Sequence, residues 1–133
     1  HPLPATLVGS LETVSTPDGP LDRALHFAGQ GFLEVAHTPA LDCRDGVTLE
    51  AWIRPAQLPE TGARLIDKPP AGAATAYLLG TCPGNSLRLI VRDPHLRYDA
   101  KLAPGRWVHV AGTVDGTTGH CTLYLNGRLV AEH

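Results

Sequence analysis

The sequence predicts an all-β fold, an antiparallel two-sheet β-sandwich built from about nine or ten short strands. Apolar and polar residues alternate with a period of two over most of the chain, the pattern of strands that bury one face. The fourteen glycines and twelve prolines are spread singly between these runs, where they mark turns. No stretch has a convincing helical period, so no helical layer is expected.

Length and composition fit a single globular domain. The chain has 133 residues, of which 43% are hydrophobic and 18% are charged, and domains commonly span about 100–150 residues. The formal net charge of −2 leaves no basic footprint, so we expect no nucleic-acid partner. No apolar run is long enough to span a bilayer, so we expect no membrane insertion.

The first strands surround a glycine-rich turn. Residues 1–22 form a lead segment with room for one early strand, between residues 7 and 14. Residues 25–27 and 32–35 are expected to be strands on either side of the turn at residues 28–31.

Residues 47–54 carry the clearest strand pattern of the chain, after a loop at residues 37–42. Pro55 ends this strand because proline has no N–H to donate to a ladder. The alternation places four aliphatic residues on one face: Val47, Leu49, Ala51 and Ile53. The opposite face then carries Thr48, Glu50, Trp52 and Arg54.

The second half of the chain holds the remaining strands and their turns. We expect strands at residues 63–67, 76–81, 86–92, 106–114 and 121–125. Turns are expected at residues 82–85 and 115–119, where proline, glycine, asparagine and aspartate gather. Asn126 and Gly127 predict a type I′ hairpin because both central positions of that turn need positive φ. Leu129 and Val130 open the returning strand.

Four blocks of sequence recur in a recognisable order between residue 23 and the end of the chain. They read RALHFAG followed by GFLEV, then VTLEAWIRP, then PGRWVHVAGT, and last TLYLNG. Together they resemble laminin-G-like jelly-roll domains of the concanavalin A-like lectin and glucanase superfamily. The resemblance implies a concanavalin A-like two-sheet sandwich over residues 23–133.

This resemblance also carries the functional expectation. Such domains are usually extracellular modules that bind glycans or proteins, often attached to a secreted hydrolase or adhesin. We therefore expect a non-catalytic, lectin-like carbohydrate-binding or adhesion module, ancillary to a secreted or cell-surface bacterial protein that acts on polysaccharides. The alternative is a structural or protein-interaction sandwich that packs against a catalytic neighbour and binds no sugar.

Two departures from the family pattern concern the end of the chain and calcium. The family continues after the Asn-Gly hairpin, so we expect the final strands to be missing and to come from the remainder of a larger chain or a neighbouring domain. The alternative is closure by residues 7–14. The family often places an aspartate where this chain has Ala28. No cofactor is assigned, calcium stays a candidate, and its ligands are unknown, although the carbonyls near Gly29 and Gly31 can contribute.

No catalytic residues are predicted. Glucanases of the superfamily carry carboxylates two residues apart on one strand, whereas Asp42, Asp45 and Glu50 cross a loop. His109 and His120 can approach across a hairpin, but two imidazoles alone make a poor metal site, and we expect His109 to be packed and hydrogen-bonded.

Three cysteines, Cys43, Cys82 and Cys121, make an odd count. One disulfide with one free thiol and three free thiols are both compatible with the sequence. No pair has the spacing of a zinc ribbon or a thioredoxin-type site.

Trp52 and Trp107 each fall within a family-like strand block. We expect both to fill the core of the sandwich. The alternative is a stacking platform for a sugar ring, because an aromatic ring offers an apolar face.

A polar set with one aromatic residue follows the strand at residues 86–92. Its predicted ligand-binding members are Arg88, Arg92, Asp93, His95 and Tyr98, with Arg97 between them. Arginine forks hydrogen-bond hydroxyls and carboxylates in fixed geometry, so this set predicts recognition of a neutral or acidic glycan. The alternative is an ordinary solvated, charged face.

Overall fold

A computed structural model describes residues 2–70, 76–91 and 95–133. The chain divides into two compact units, His1–Leu41 and Asp42–His133. Both units are built from antiparallel strands, and the predicted all-β class is confirmed.

The first unit is a pair of nested two-stranded sheets. Its strands are β1 (Ala5–Gly9), β2 (Glu12–Ser15), β3 (Arg23–His26) and β4 (Gly31–Val35). β2 pairs with β3, and β1 pairs with β4 outside them, so the four strands follow the path of one interrupted hairpin. The strands on either side of the glycine-rich turn were predicted correctly, but they pair with the lead segment and not with each other.

The interruption lies where two glycines face one another. Gly9 pairs with Gly31, and the Ser10 N–H donates to the Gln30 carbonyl at 3.0 Å just beyond them. A Cβ on Gly31 would lie 2.5 Å from the Ser10 carbonyl oxygen, so only glycine permits this approach of the two backbones. The closed end of the hairpin is held by the Thr16 N–H, which donates to the Asp22 carbonyl at 2.9 Å.

The second unit contains two four-stranded antiparallel sheets. Sheet A has the order β12-β11-β10-β5, and sheet B has the order β6-β7-β8-β9. Sheet A comprises β5 (Gly46–Ile53), β10 (Val108–Asp115), β11 (Cys121–Leu125) and β12 (Arg128–Glu132). Sheet B comprises β6 (Arg64–Lys68), β7 (Tyr77–Cys82), β8 (Ser86–Val91) and β9 (His95–Tyr98). A single 3-10 turn, Pro39–Leu41, precedes this unit.

One hydrophobic core joins the inner faces of the two sheets. Its buried members from sheet A are Leu49, Val110, Cys121 and Leu123. Its members from sheet B are Tyr77, Leu79, Leu87, Leu89 and Val91, and Leu102 completes the cluster. These residues alternate along their strands, as the period-two pattern predicts for a sheet that buries one face. The second unit is therefore a two-sheet β-sandwich, as predicted.

The two sheets pack closely against each other at Gly112 on β10. A Cβ built on Gly112 would lie 2.8 Å from Cδ1 of Leu89 on β8. Leu89 is buried, so its side chain has little room to move away. The missing side chain of Gly112 is thus a packing requirement of the sandwich.

Two tight turns match the sequence prediction. Asn126 and Gly127 have φ values of 50° and 76°, which are the two positive angles of a type I′ hairpin between β11 and β12. Gly84 and Asn85 also have positive φ in the connection between β7 and β8. Asparagine and glycine tolerate this conformation better than other residues do.

The structure corrects the expected strand list at two places. Residues 95–98 were placed in a polar loop, but they form β9, which pairs with β8. Leu96 and Tyr98 pack against the core while His95 and Arg97 are exposed, so this short segment does alternate. The described residues hold twelve strands, more than expected, because the lead segment supplies two strands, β1 and β2, where one was expected, and because β9 is added.

Candidate functional site

The outer face of sheet A presents an aromatic ring to solvent. Trp52 on β5 keeps 47% of its surface exposed, so the prediction that it fills the core is wrong. Its neighbours in sequence, Ala51 and Ile53, pack against the core on the opposite face. Because side chains alternate along a strand, the inward direction of the aliphatic residues turns Trp52 outward.

Trp52 is part of a small cluster that we call the Trp52 site, formed by Trp52, His109 and Glu50. His109 on β10 lies directly opposite Trp52 in the ladder, and the two ring centroids are 5.2 Å apart with the planes tilted by 59°. His109 Nε2 lies 3.3 Å from Oε2 of Glu50. Two polar side chains therefore stand beside an exposed aromatic face.

The backbone holds His109 in place at the hairpin between β11 and β12. The His109 N–H donates to Oδ1 of Asn126 at 3.0 Å, and the Asn126 N–H donates to the His109 carbonyl at 2.8 Å. Asn126 thus serves both the type I′ turn and the strand that carries His109. The expectation that His109 is packed and hydrogen-bonded is confirmed, and the side chain is only 22% exposed.

The face continues across sheet A with hydroxyl and carboxylate groups. Thr113 on β10 and Thr122 on β11 face each other and share a hydrogen bond between their hydroxyls. Nε2 of His120 lies 3.5 Å from Oε2 of Glu132 near the far end of the sheet. Tyr124, which is half-buried, lies on β11 between these groups and the Trp52 site.

The geometry of the Trp52 site suits a sugar ring. The indole offers an apolar face on which the C–H face of a pyranose can stack. The Glu50 carboxylate is 65% exposed and can accept hydrogen bonds from sugar hydroxyls at the edge of that ring. A rigid strand pair carries all three residues, so the site is largely preformed.

Trp107 has a different environment. It is half-buried, the Arg54 guanidinium lies 5.1 Å from its ring centroid, and its Nε1 is buried without a hydrogen-bond acceptor in the structure. The stacked cation covers one aromatic face. Trp107 is not part of the core cluster of the sandwich, so the prediction that it fills the core is wrong, and the covered face makes it poorly placed to stack on a sugar.

The predicted ligand-binding set is divided by the structure. Arg88 lies on β8 directly opposite Arg97 on β9, and His95 follows on the same outer face of sheet B. Tyr98 lies opposite Leu87 and packs against the core, so it points away from Arg88. The binding role of the set stays a prediction; Arg92 and Asp93, two of its members, lie outside the described residues.

The carboxylates weighed for catalysis have separate partners. Oδ1 of Asp42 lies 3.4 Å from Nζ of Lys68, and Glu50 faces His109. Asp45 is exposed, and its backbone carbonyl, not its carboxylate, accepts the Gly116 N–H at 2.9 Å. A glycosidase needs two carboxyl groups on either side of one glycosidic bond, and these contacts do not build such a pair.

A buried polar corner links the start of the second unit to sheet B. Lys68 Nζ lies 5.7 Å from the ring centroid of Tyr77, next to Asp42. Burial raises the pKa of Tyr77 above its ordinary value, and the nearby Cys43 adds to the rise through its charge and a hydrogen bond. Tyr77 is therefore a neutral phenol at physiological pH, and this corner acts as packing.

The three cysteines form no disulfide, and the described residues show no cluster of metal-ligating side chains. Cys43, Cys82 and Cys121 are all free thiols, which decides between the two alternatives left by the odd count. Burial raises the pKa of Cys121, so its thiol is protonated at neutral pH. In the described part of the chain, no three histidine, cysteine or acidic side chains are grouped to hold a metal ion, and calcium binding stays a prediction.

The two-sheet sandwich and its ordered strand blocks agree with a comparison against protein families. A family of laminin G type, described as the concanavalin A-like lectin/glucanases superfamily, matches residues 27–133. The chain belongs to the concanavalin A-like lectin/glucanase superfamily. The match covers all of sheet A and sheet B, together with β4 of the first unit. A search of curated proteins found no significant match.

Membership of the concanavalin A-like superfamily establishes the fold. The ligand has to be inferred from the side chains. The superfamily holds both lectins and glucanases, so the fold alone does not choose between binding and catalysis. Within the described residues, no helix is long and apolar enough to cross a membrane.

Sequence reasoning kept a sugar platform at Trp52 only as the alternative and did not group Trp52 with Glu50 and His109, although part of the signal was present. The alternation of residues 47–54 had already placed Trp52 and Glu50 on the face opposite the aliphatic residues. The partner strand was the missing information, because only the register of β5 with β10 brings His109 beside them.

Proposed function

We propose that this chain is a non-catalytic carbohydrate-binding module that holds a glycan on the outer face of sheet A. The exposed ring of Trp52, flanked by Glu50 and His109, is the observation that carries the proposal. A large aromatic side chain in water loses the free energy that burial would provide, and a stacked sugar recovers part of it.

Binding requires no movement of the strands. The pyranose stacks on the indole, its hydroxyls donate to the Glu50 carboxylate, and His109 supports the indole from its edge. Because His109 Nε2 lies 3.3 Å from Oε2 of Glu50, the imidazole also orients the carboxylate. A preformed site of this kind loses little conformational entropy when a ligand binds.

The proposal also covers the kind of protein in which the module works. Laminin-G-like modules usually work outside the cell beside a catalytic or adhesive partner, and this chain lacks a paired-carboxylate site of its own in the contacts described above. We therefore place it as an ancillary domain of a secreted or cell-surface protein, with a polysaccharide as partner.

A glycan array tests the binding site. We expect the wild type to bind at least one neutral oligosaccharide saturably, Trp52→Ala to lose binding by about tenfold or more, and Trp52→Phe to keep part of it. Phe27→Ala is the matched control, since it removes a ring of similar exposure, 55%, from the first unit. Equal binding by Trp52→Ala and Phe27→Ala would remove the Trp52 site from the proposal.

The second candidate function is that of a protein-interaction domain. The first unit leaves several large apolar side chains exposed, among them Phe27, Phe32 and Leu33. Exposed apolar surface of this kind is typical of protein contacts. If no glycan on the array binds the wild type, the carbohydrate proposal fails and this alternative takes its place.

A further inference from the structure

We propose a second binding site, on the outer face of sheet B, where Arg88 and Arg97 together bind one oxyanion group of a glycan. The group is a uronate carboxylate or a sulfate ester, both of which present negatively charged oxygens that accept paired hydrogen bonds from arginine. This site is separate from the Trp52 site in residues and sheet, so either can exist without the other.

The first step of the argument is the register of β8 with β9. Arg88 and Arg97 are directly opposite each other, so their side chains leave the sheet side by side on the same face. Two like charges in that position repel each other and destabilise the strand pair. An anion between the two guanidinium groups would convert that repulsion into attraction.

The second step is the buried donor on Arg88. Its Nε has essentially no solvent contact and no hydrogen-bond acceptor in the structure. A buried N–H that is left unpaired costs free energy, and the cost is larger when the group is charged. No described part of the chain supplies an acceptor to this side chain, so an anion bound to its guanidinium group would offset part of that cost.

The third step is the fixed position of Arg97. Its Nη2 donates to the Pro83 carbonyl at 2.6 Å, which ties the guanidinium to the turn between β7 and β8. The remaining N–H groups of Arg97 stay available, because an arginine has five donors in a rigid fork. Arg97 is thus held in place with donors still available, and the Arg88 Nε has no acceptor among the described residues.

A third arginine on the same row of sheet B, Arg64, differs from Arg88 and Arg97 in having a carboxylate partner. Arg64 on β6 shares the transverse row with Gly80, Arg88 and Arg97. The Arg64 guanidinium pairs with Oδ2 of Asp67 at 2.5 Å, whereas neither Arg88 nor Arg97 forms an ion pair with a carboxylate of the described residues. Arg88 and Arg97 therefore stand together without a carboxylate partner among the described residues, whereas Arg64 on the same row has one.

The size and charge of the site limit the ligand to one small anionic group. Two guanidinium forks match a single carboxylate or sulfate, which accept bidentate hydrogen bonds. The chain has a net charge of −2, so it offers no extended basic surface to a polyanionic strand such as RNA. A substituent on a sugar that also offers hydroxyls to the exposed His95 imidazole fits this chemistry.

Arginine side-chain NMR tests the site in the full chain. We expect the Nε–H signals of Arg88 and Arg97 to shift saturably with glucuronate or galactose 6-sulfate at constant ionic strength, and not with galactose. Saturation by only one of the two anions assigns the natural group as carboxylate or sulfate ester. Arg97→Gln is expected to weaken binding about tenfold or more.

The matched control is Arg128→Gln, which removes one exposed positive charge from β12 in sheet A and is expected to leave the affinity unchanged. Arg88→Met keeps the packed stem and removes the donors, so circular dichroism should report a folded protein that no longer binds. The proposal is overturned if neither anion saturates the signals or if Arg128→Gln weakens binding as much as Arg97→Gln.

Discussion

Single residues show how much of the structure the alternation of apolar and polar residues predicts. The alternation along β5 already separates Trp52 from Leu49, so the side of the sheet was predictable from the sequence. The assignment of Trp52 to the core failed because a large apolar residue was weighed by type and not by its place in the strand. Tyr98 shows the converse, since it was grouped with polar loop residues but alternates inward on β9.

Asp115 gives a prediction about acid stability at this scale. Its Oδ1 accepts the Thr117 and Thr118 N–H groups at 2.8 and 3.1 Å, and the bonds to Thr118 and then Thr117 lower the pKa of Asp115 below its ordinary value of 3.8. Because the unfolded chain binds this proton first, the stability supplied by the carboxylate is present above pH 3.8 and is lost as the pH falls through the folded-state pKa.

Urea unfolding at a series of acidic pH values measures this effect. Asp115→Asn keeps an oxygen that can accept the same bonds but cannot titrate, so its stability should fall less steeply below pH 3.8 than that of the wild type. Asp99→Asn, at an exposed aspartate elsewhere in the second unit, is the control and should follow the wild type. Identical acid slopes for the wild type and Asp115→Asn would contradict the assignment.

The three thiols give a second prediction at the residue scale. Cys43 is half-buried, whereas Cys82 and Cys121 are buried, and burial also raises the pKa of Cys121. We expect a thiol reagent to modify Cys43 first in the folded protein, and the other two only when the chain opens. Mass spectrometry of timed samples reads the order, and denaturant should expose all three. Labelling of Cys121 as fast as Cys43 would count against the sandwich core.

At the scale of elements, the contact between β10 and β8 decides how the sheets pack. Gly112→Ala places a methyl group against Leu89, and overpacking of this kind costs about 1–3 kcal/mol. Leu89→Ala should therefore destabilise the wild type more than it destabilises Gly112→Ala, since the smaller side chain makes room for the new methyl group. Urea denaturation of the two single variants and the double variant completes the cycle. Strictly additive losses would show that the two sheets do not meet there.

Elements also separate what the sequence predicts from what it leaves open. The hairpin at Asn126 and Gly127 was predictable because its turn residues act locally, through their own φ angles. The pairing of β1 with β4 was not, because it joins segments far apart in the chain and no turn specifies it. The pair Arg88 and Arg97 lies between these cases: both residues were noticed, but only the register made them neighbours.

At the scale of the whole molecule, the sequence predicted the β-sandwich but not which residues meet at the proposed binding sites. Alternation, turn chemistry and four ordered blocks predicted the fold and the superfamily, since these features are written in short stretches. Binding sites on a sheet face depend on which strands become neighbours, so the Trp52 site could be found only from the ladder of β5 with β10. The calcium expectation came from the resemblance alone and stays a prediction.

The central claim is that the outer face of sheet A binds a glycan through Trp52, and one titration tests it most directly. The best neutral oligosaccharide from the array is titrated into wild type, Trp52→Ala and Phe27→Ala by isothermal calorimetry, after circular dichroism has shown that all three are folded. The account predicts saturable binding by the wild type and by Phe27→Ala, with an affinity about tenfold or more weaker for Trp52→Ala. Equal affinity of all three proteins would contradict it.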